Sequence, residues 1–460
     1  MRAAFIGGGP VVSELHLPAV RRLGWVGAQV FDRSPMEVAA LRKRFPEGSA
    51  VVADFREAIS SLANVDLAVV ALPNHLHEAA CHALLSKKIP VLCEKPLALS
   101  AEVCRRLSKA FAEAGVPLAV GMSRRFIPAI SVARDVFKKG LLGRLESVSY
   151  SHGSPYAWGS KTGEPFRPEN GGVLADMGIH YFDLARWWFG DLRLVRYWDD
   201  WEGGVEAEAA VDLETTGGVP VRIELSRRRL LRNEIRICGS DADLVLDVDH
   251  FGECRVEWKR DDLRAEVRRA EGGAADFVAA FEAQFRAVER RLAQETADLV
   301  DPLDHARCIE LIEACYGKRR RHQDFPTRDA SVRQRWLGGG SVAVTGATGF
   351  IGTRLVERLF ESGVQDVRAV IRSFSSVAGI ARFPVRLIQA DLIDAEALRE
   401  VFRGASTVVH LAFGASGTSR ERKRATIDGT RAVVEAAIAE GVGAVVVLSG
   451  AALMIVRRRQ

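Results

Sequence analysis

Residues 341–359 read SVAVTGATGFIGTRLVERL, and residues 2–20 read RAAFIGGGPVVSELHLPAV. Each stretch is a short apolar strand, then a glycine turn, then the start of a helix. Glycine there lets the backbone approach a pyrophosphate, and the helix offers its free N-terminal N–H groups to the negative charge. The chain therefore starts a dinucleotide site twice, the second time about 120 residues before its last residue. Two α/β units are expected, one around each turn.

Outward from the first turn, Gly7 and Gly9 supply a GxG, with Val12 where the full fingerprint has a third glycine. Val26–Phe31 reads as the next strand and ends in Asp32. A carboxylate there can take both ribose hydroxyls of NAD, while the adjacent Arg33 can accept a 2′-phosphate, so NAD or NADP is expected in this half. Strands at Asp66–Ala71 and Val91–Cys93, with a helix through Cys81–Leu85 between them, give βαβ order and a parallel sheet. Two strand ends carry polar residues: Pro73-Asn74 with His77, and Glu94-Lys95-Pro96. Ligands of such sheets lie at the carboxyl ends of strands.

Beyond about residue 122 the pattern changes. Leu145–Ser151, Glu206–Leu213, Val219–Ser226, Glu234–Cys238 and Arg255–Lys259 alternate or form short β-rich runs, with a turn at Thr215–Gly218. A largely antiparallel sheet is expected. Phe277, Phe281, Phe285 and Val288 mark a core-facing helix. In GGVLADMGIHYFDLARWWFG, Asp176, His180 and Asp183 fall at i, i+4 and i+7 and share one helical face. That stripe reads either as a wet face or as a catalytic one. The stretch with Tyr156, Trp158 and Phe166 reads equally as a cover over a substrate or as a plug.

The bulk numbers narrow the class. The chain has 460 residues, 48% hydrophobic, enough for two or three domains. Its 64 Lys and Arg against 59 Asp and Glu argue for neither nucleic acid nor membrane as partner. The arginine runs 227–229, 319–321 and 457–459 are expected to be solvated. Seven cysteines without a CxxC pair read as reduced thiols in a cytoplasmic protein with no metal. The N-terminus enters a strand directly, so no signal peptide is expected. The apolar run near 442–456 is too short to span a bilayer and reads as a buried strand with its continuation.

Several ordered pieces make residues 1–328 resemble the Gfo/Idh/MocA family of glucose–fructose oxidoreductases and inositol dehydrogenases. They are the glycine turn, His16-Leu17-Pro18-Ala19, Pro73-Asn74 with His77, Glu94-Lys95-Pro96, Arg124-Arg125-Phe126 with Pro128, and Gly171-Gly172 followed by Asp176 and His180. His16 comes one residue late, so the phosphate loop is expected to be rebuilt. The resemblance implies a Rossmann domain at 1–122 and an α+β domain at 123–328 with an open, mostly antiparallel sheet. It also implies a homo-oligomer, dimer or tetramer, and a cis Lys95–Pro96 bond. It makes Lys95, His180 and Asp176 catalytic, and Gly7, Gly9, Asp32, Arg33, Pro73, Asn74, His77 and Glu94 cofactor-binding. The implied reaction moves hydride between nicotinamide and a hydroxyl of a sugar, cyclitol or nucleotide-sugar. A redox-elimination glycosidase and a non-catalytic dinucleotide-responsive regulator are the alternatives.

Residues 329–340 read as a linker, and 341–460 as a second, incomplete Rossmann domain. TGATGFIG, Asp391-Leu392 and VVHLA make it resemble the extended short-chain dehydrogenase/reductases, which include nucleotide-sugar epimerases and dehydratases. Gly346, Gly349 and Gly352 form its turn. Strand Val367–Ile371 ends in Arg372-Ser373, which suits the 2′-phosphate of NADP. Asp391 and Leu392 complete the expected cofactor set. No tyrosine follows Tyr316, so the Tyr-xxx-Lys pair of the resembled family is missing. A further sheet strand is also expected to be missing, as in a truncated or frameshifted fusion.

Overall fold

The computed structural model describes residues 1–25, 29–44, 49–157, 163–260, 265–270, 276–319, 340–414, 417–449 and 452–457. Trp158, part of the second predicted strand (26–28) and most of the predicted linker (329–339) lie outside them. The chain divides into two units. The first holds Met1–Ser154, Glu169–Asp199 and Glu208–Arg319; the second holds Pro155–Pro168, Asp200–Ala207 and Arg320–Gln460.

In the first unit, β1 (Ala3–Ile6), β2 (Gln29–Asp32), β3 (Ser49–Val51), β4 (Leu67–Val70), β5 (Val91–Glu94) and β6 (Leu118–Gly121) form a parallel sheet in the order β3-β2-β1-β4-β5-β6. The order reverses at β1, which is the switch point where doubly wound sheets bind ligands. Side chains alternate between two buried faces, as a strand period of two requires. Ala4 and Ile6 join one core, Ala3 and Phe5 the other. The helix Phe277–Leu292 buries Phe281, Phe285 and Val288 in the second of these cores.

A second sheet contains β7 (Leu145–Gly153), β8 (Leu192–Asp199), β9 (Glu208–Thr215), β10 (Pro220–Ser226), β11 (Glu234–Gly239), β12 (Ala242–Asp247), β13 (Glu253–Trp258) and β14 (Glu266–Arg269). Its order is β14-β13-β12-β11-β7-β10-β9-β8. Among its described strands only β7 and β10 pair in parallel, so both run out at the same edge, at His152-Gly153 and at Ser226.

The second unit repeats the first topology. β15 (Val342–Thr345), β16 (Val367–Ile371), β17 (Arg386–Gln389), β18 (Thr407–His410), β19 (Ala444–Ser449) and β20 (Ala452–Arg457) take the order β17-β16-β15-β18-β19-β20. The sixth position, expected to be vacant, is filled. β20 runs antiparallel to β19, with Ser449 opposite Ala452. The apolar run near 442–456 thus supplies two antiparallel neighbours of the sheet.

Candidate active site

The first glycine turn is built for close approach. Gly7 has φ +107°, and a Cβ there would lie 2.2 Å from the Ala71 carbonyl oxygen, so no other residue fits. A Cβ on Gly9 would meet nothing within 4 Å, which leaves the turn open on its outer side. Asp32, at the end of β2, accepts hydrogen bonds from the Gly8 N–H (2.8 Å) and the Ser34 N–H (2.7 Å). Its neighbour Arg33 is exposed. The helix after the turn begins with a π turn, Val12–His16, before the α-helix Leu17–Arg22. A π turn holds one extra residue, and this accounts for the late His16. An open glycine turn, a helix start and a carboxylate at the next strand end fit a dinucleotide.

At the end of β5, Lys95 is followed by a cis bond to Pro96. Its Nζ donates to Asp176 Oδ1 at 2.6 Å and to the Asp176 carbonyl at 2.9 Å. The other carboxylate oxygen of Asp176 accepts from Arg227 Nη2 at 2.6 Å. Burial pushes the Asp176 carboxyl up, but Lys95 and Arg227 outweigh it and hold the group well below the usual carboxylate range. Arg227 is 2% exposed, which corrects the expectation that the run 227–229 is solvated. It follows β10 directly, and the strand end delivers it inward to a carboxylate.

The helix carrying His180 also begins with a π turn, Leu174–Gly178, and continues as Ile179–Phe189. The predicted polar stripe therefore divides. His180 is buried, and its Nδ1 has no partner among the described residues. Burial, then the charges of Lys95 and Arg124, push it well below its ordinary value, so the imidazole is neutral. Asp183 instead forms a buried bidentate pair with Arg125, Nε to Oδ2 at 2.8 Å and Nη2 to Oδ1 at 2.6 Å.

The other predicted residues of the first unit lie around these two strand ends. Asn74 Nδ2 donates to the Asn170 carbonyl at 3.1 Å, and Pro73 is half-buried beside it. His77 is fully buried, with its nitrogens 2.8 Å from the Leu72 carbonyl and 3.0 Å from the Pro96 carbonyl. It ties the ends of β4 and β5 together. Glu94 is buried, 2.8 Å from His16 Nε2, and accepts from the Lys95 N–H at 3.2 Å. Burial raises its carboxyl, yet His16 and Lys95 bring it below its ordinary value.

Sequence reasoning missed Arg227, the His152–Tyr181 pair and the partner of Glu94. Tyr181 Oη lies 2.8 Å from His152 Nδ1, at the edge where β7 ends. Burial, then Arg124, push His152 down to about 3. His305, whose Nε2 accepts the Leu97 N–H at 3.1 Å, is likewise pushed down to about 3, first by burial. Both stay neutral in the folded chain where an unfolded histidine, with a value near 6.5, takes up a proton. Between about pH 6.5 and 3 the unfolded state binds more protons, so stability falls as pH falls, by ~1.4 kcal/mol per pH unit per histidine. Urea unfolding from pH 6 down to 4.5 is expected to show this slope. His305→Gln is expected to flatten it by about one histidine's share; an unaltered slope would remove His305 from the account.

In the second unit, Gly346 has φ +68°, and a Cβ on Gly352 would lie 2.1 Å from the Gly346 carbonyl oxygen. This packs the turn against the helix Phe350–Glu361, whose N-cap is Gly349. Arg372 is exposed at the end of β16. The Asp391 carboxylate caps its own turn by accepting the Ile393 N–H at 3.1 Å, and Leu392 packs under Gly429. His410 lies between Thr345 (2.6 Å) and Thr430 (2.9 Å). Among the described residues there is no cluster that could hold a metal ion. None of the helices described is long and apolar enough to cross a membrane.

Comparison with known proteins matches residues 1–122 to the oxidoreductase family with an NAD-binding Rossmann fold (GFO/IDH/MocA) and residues 130–245 to the C-terminal domain of the same family. Residues 342–454 match the NAD dependent epimerase/dehydratase family. The chain is 29% identical over 226 residues to the rhizopine catabolism protein MocA of Rhizobium meliloti, covering 47% of this chain and 67% of that protein. It is 29% identical over 178 residues to an inositol 2-dehydrogenase of the same species, covering 37% of this chain and 53% of that protein. The alignments thus span roughly half to two thirds of these relatives. An oxidoreductase from Agrobacterium radiobacter, solved with NAD+, L-tartaric acid and magnesium, superposes with a TM-score of 0.60 at 19% identity. That likeness covers 69% of this chain and 95% of the other, and it shows the fold.

Proposed function

Residues 1–245 belong to the GFO/IDH/MocA oxidoreductase family, and from that premise we propose that the first unit oxidises a secondary hydroxyl of a cyclitol or sugar, or reduces the matching ketone. The observation that carries this reading is the Lys95–Asp176–Arg227 chain of contacts, with a buried His180 on the same turn-and-helix segment. A hydroxyl losing hydride from carbon must also lose its oxygen-bound proton to a group within hydrogen-bond reach. Lys95 is that group: its neutral amine takes the proton in oxidation and its ammonium returns it in ketone reduction, with the side chain and carbonyl of Asp176 holding it in place. Arg227 keeps the Asp176 carboxylate ionised and aimed at Lys95. His180, neutral and with a spare nitrogen, orients the substrate hydroxyl and shares its proton. Gly7, Gly9 and Asp32 hold the dinucleotide, with Arg33, Pro73 and Asn74 beside it; when bound, its nicotinamide supplies the hydride acceptor. His77 and Glu94 support the two strand ends from behind.

The test is incubation of the full chain with NAD or NADP and a panel of cyclitols and sugars, reading reduced nicotinamide. Reduction with at least one polyol is expected. No reduction with any of them, alongside normal cofactor binding, would overturn the reading. In the second unit we assign Gly346, Gly349, Gly352, Arg372, Asp391 and Leu392 to a further dinucleotide site that prefers NADP, because Arg372 and Ser373 suit a 2′-phosphate. Calorimetric titration is expected to count two sites per chain. Gly352→Val should abolish one of them, since its side chain would strike the Gly346 carbonyl. A single site, unaffected by that change, would remove the second assignment.

A further inference from the structure

Two segments that precede residue 208 are built into the second unit. Phe166 and Ala207 are buried in one hydrophobic core with Val342, Val344, Phe374, Ile380 and Phe383. Tyr156 packs against it and meets Phe166 edge-on at 4.8 Å. Backbone pairing adds direction. The N–H groups of Glu202 and Gly204 both donate to the Arg382 carbonyl at 2.9 Å, and the Val205 N–H donates to the Ala381 carbonyl at 2.7 Å. The fit is close enough to demand glycine at two points. A Cβ on Gly204 would lie 2.1 Å from the Ala381 oxygen, and one on Gly163 (φ +71°) would lie 2.4 Å from the Phe374 ring.

We propose that residues 374–384 of the second cofactor fold are a docking surface for the chain's own segments 155–157, 163–168 and 200–207, and that this fold acts by ordering them. The consequence runs along the chain. Segment 163–168 ends eight residues before Asp176, and 200–207 is the whole connection between β8 and β9. On this account the second dinucleotide fold has a task that needs no Tyr-xxx-Lys pair. It completes the folding of a segment that leads straight into the Asp176 turn.

Amide hydrogen exchange on the full chain tests this without any substrate. The Glu202, Gly204 and Val205 amides are expected to exchange about a hundredfold or more slower than an unprotected amide. Gly204→Val should remove that protection and raise exchange across 163–168 and 374–384 together. Gly204→Ala, the milder clash, should do so in part. Amides of β15 and β18 should be unchanged in both variants, which separates undocking from failure of the second unit to fold. Unprotected amides at 202–205 in the natural chain would overturn the proposal, as would full protection in Gly204→Val. A kinetic arm, which rests on the oxidoreductase reading, expects KM for the polyol to rise about tenfold in Gly204→Ala with dinucleotide affinity unchanged. If no polyol turns over, that reading fails while the exchange result still decides this one.

Discussion

If the proposed reaction is the right one, Lys95→Met is expected to lower polyol turnover by about a thousandfold, the middle of the range for losing a positioned proton carrier. Methionine keeps the length and apolar stem of lysine and removes only the ammonium. The glycine turn and Asp32 lie on other strand ends, so dinucleotide affinity should stay within about threefold. The loss should appear in kcat rather than KM, because the proton moves in the chemical step. Asp176→Asn should cost less, since Asn keeps the carbonyl and a side-chain oxygen near Lys95 but no longer neutralises Arg227. Steady-state kinetics of both variants decide the matter. Unaltered turnover in Lys95→Met would transfer the proton to His180 and leave Lys95 a structural role.

Asp183→Ala is expected to destabilise the first unit by about 3–5 kcal/mol, the cost of leaving one member of a buried pair alone. Arg125 and Asp183 are 9% and 2% exposed at their side chains, and they meet through two N–H groups. Burial pushes Asp183 above its ordinary carboxylate value even with Arg125 beside it, while Asp183 raises Arg125 despite burial. The two directions pull against each other. The bidentate spacing is that of an ionised pair, and Arg125 has no other carboxylate at such a distance among the contacts described. Removing the aspartate strands a guanidinium that also lies over the Trp187 ring at 5.0 Å. The double variant Arg125→Leu, Asp183→Leu should recover much of the loss, because it removes both charges. Urea midpoints for the two singles and the double give the coupling directly. A cost below about 1 kcal/mol for Asp183→Ala would mean that the pair contributes no more than an exposed one.

The parts of this molecule legible in its sequence are those governed by local rules. Strand–glycine–helix turns, βαβ order and the Glu94-Lys95-Pro96 strand end need only neighbours in the chain. The alternation of β9, β10 and β11 announced the second sheet. β8 escaped because its apolar and charged residues are both partly exposed, and β12 because it follows β11 through a tight turn without a break in composition. The site was legible as a set of residues but not as a set of pairs. Asp176, His180 and Asp183 share a helical spacing, yet a π turn and a distant arginine send Asp183 to a structural pair. Arg227 looked like one member of a solvated run; only the parallel pairing of β10 with β7 makes it a buried partner of Asp176. The place of Glu94 beside His16 depends on a side-chain contact across 78 positions, which no window of sequence contains.

The two π turns have a consequence for how this chain can change over generations. Each stands at the first turn of a helix beside the site, Val12–His16 after the glycines and Leu174–Gly178 at Asp176. A π turn is the form an α-helix takes when it carries one surplus residue. An insertion or deletion of one codon there can be absorbed within a single turn, and the packed helix beyond keeps its register. The reach of Asp176 and the entry to the phosphate turn can thus be lengthened or shortened by a residue while the core stays as it was. Insertion or deletion of one residue at these two places should be tolerated; the same change in the middle of Ile179–Phe189 would rotate the buried face of that helix by about 100°.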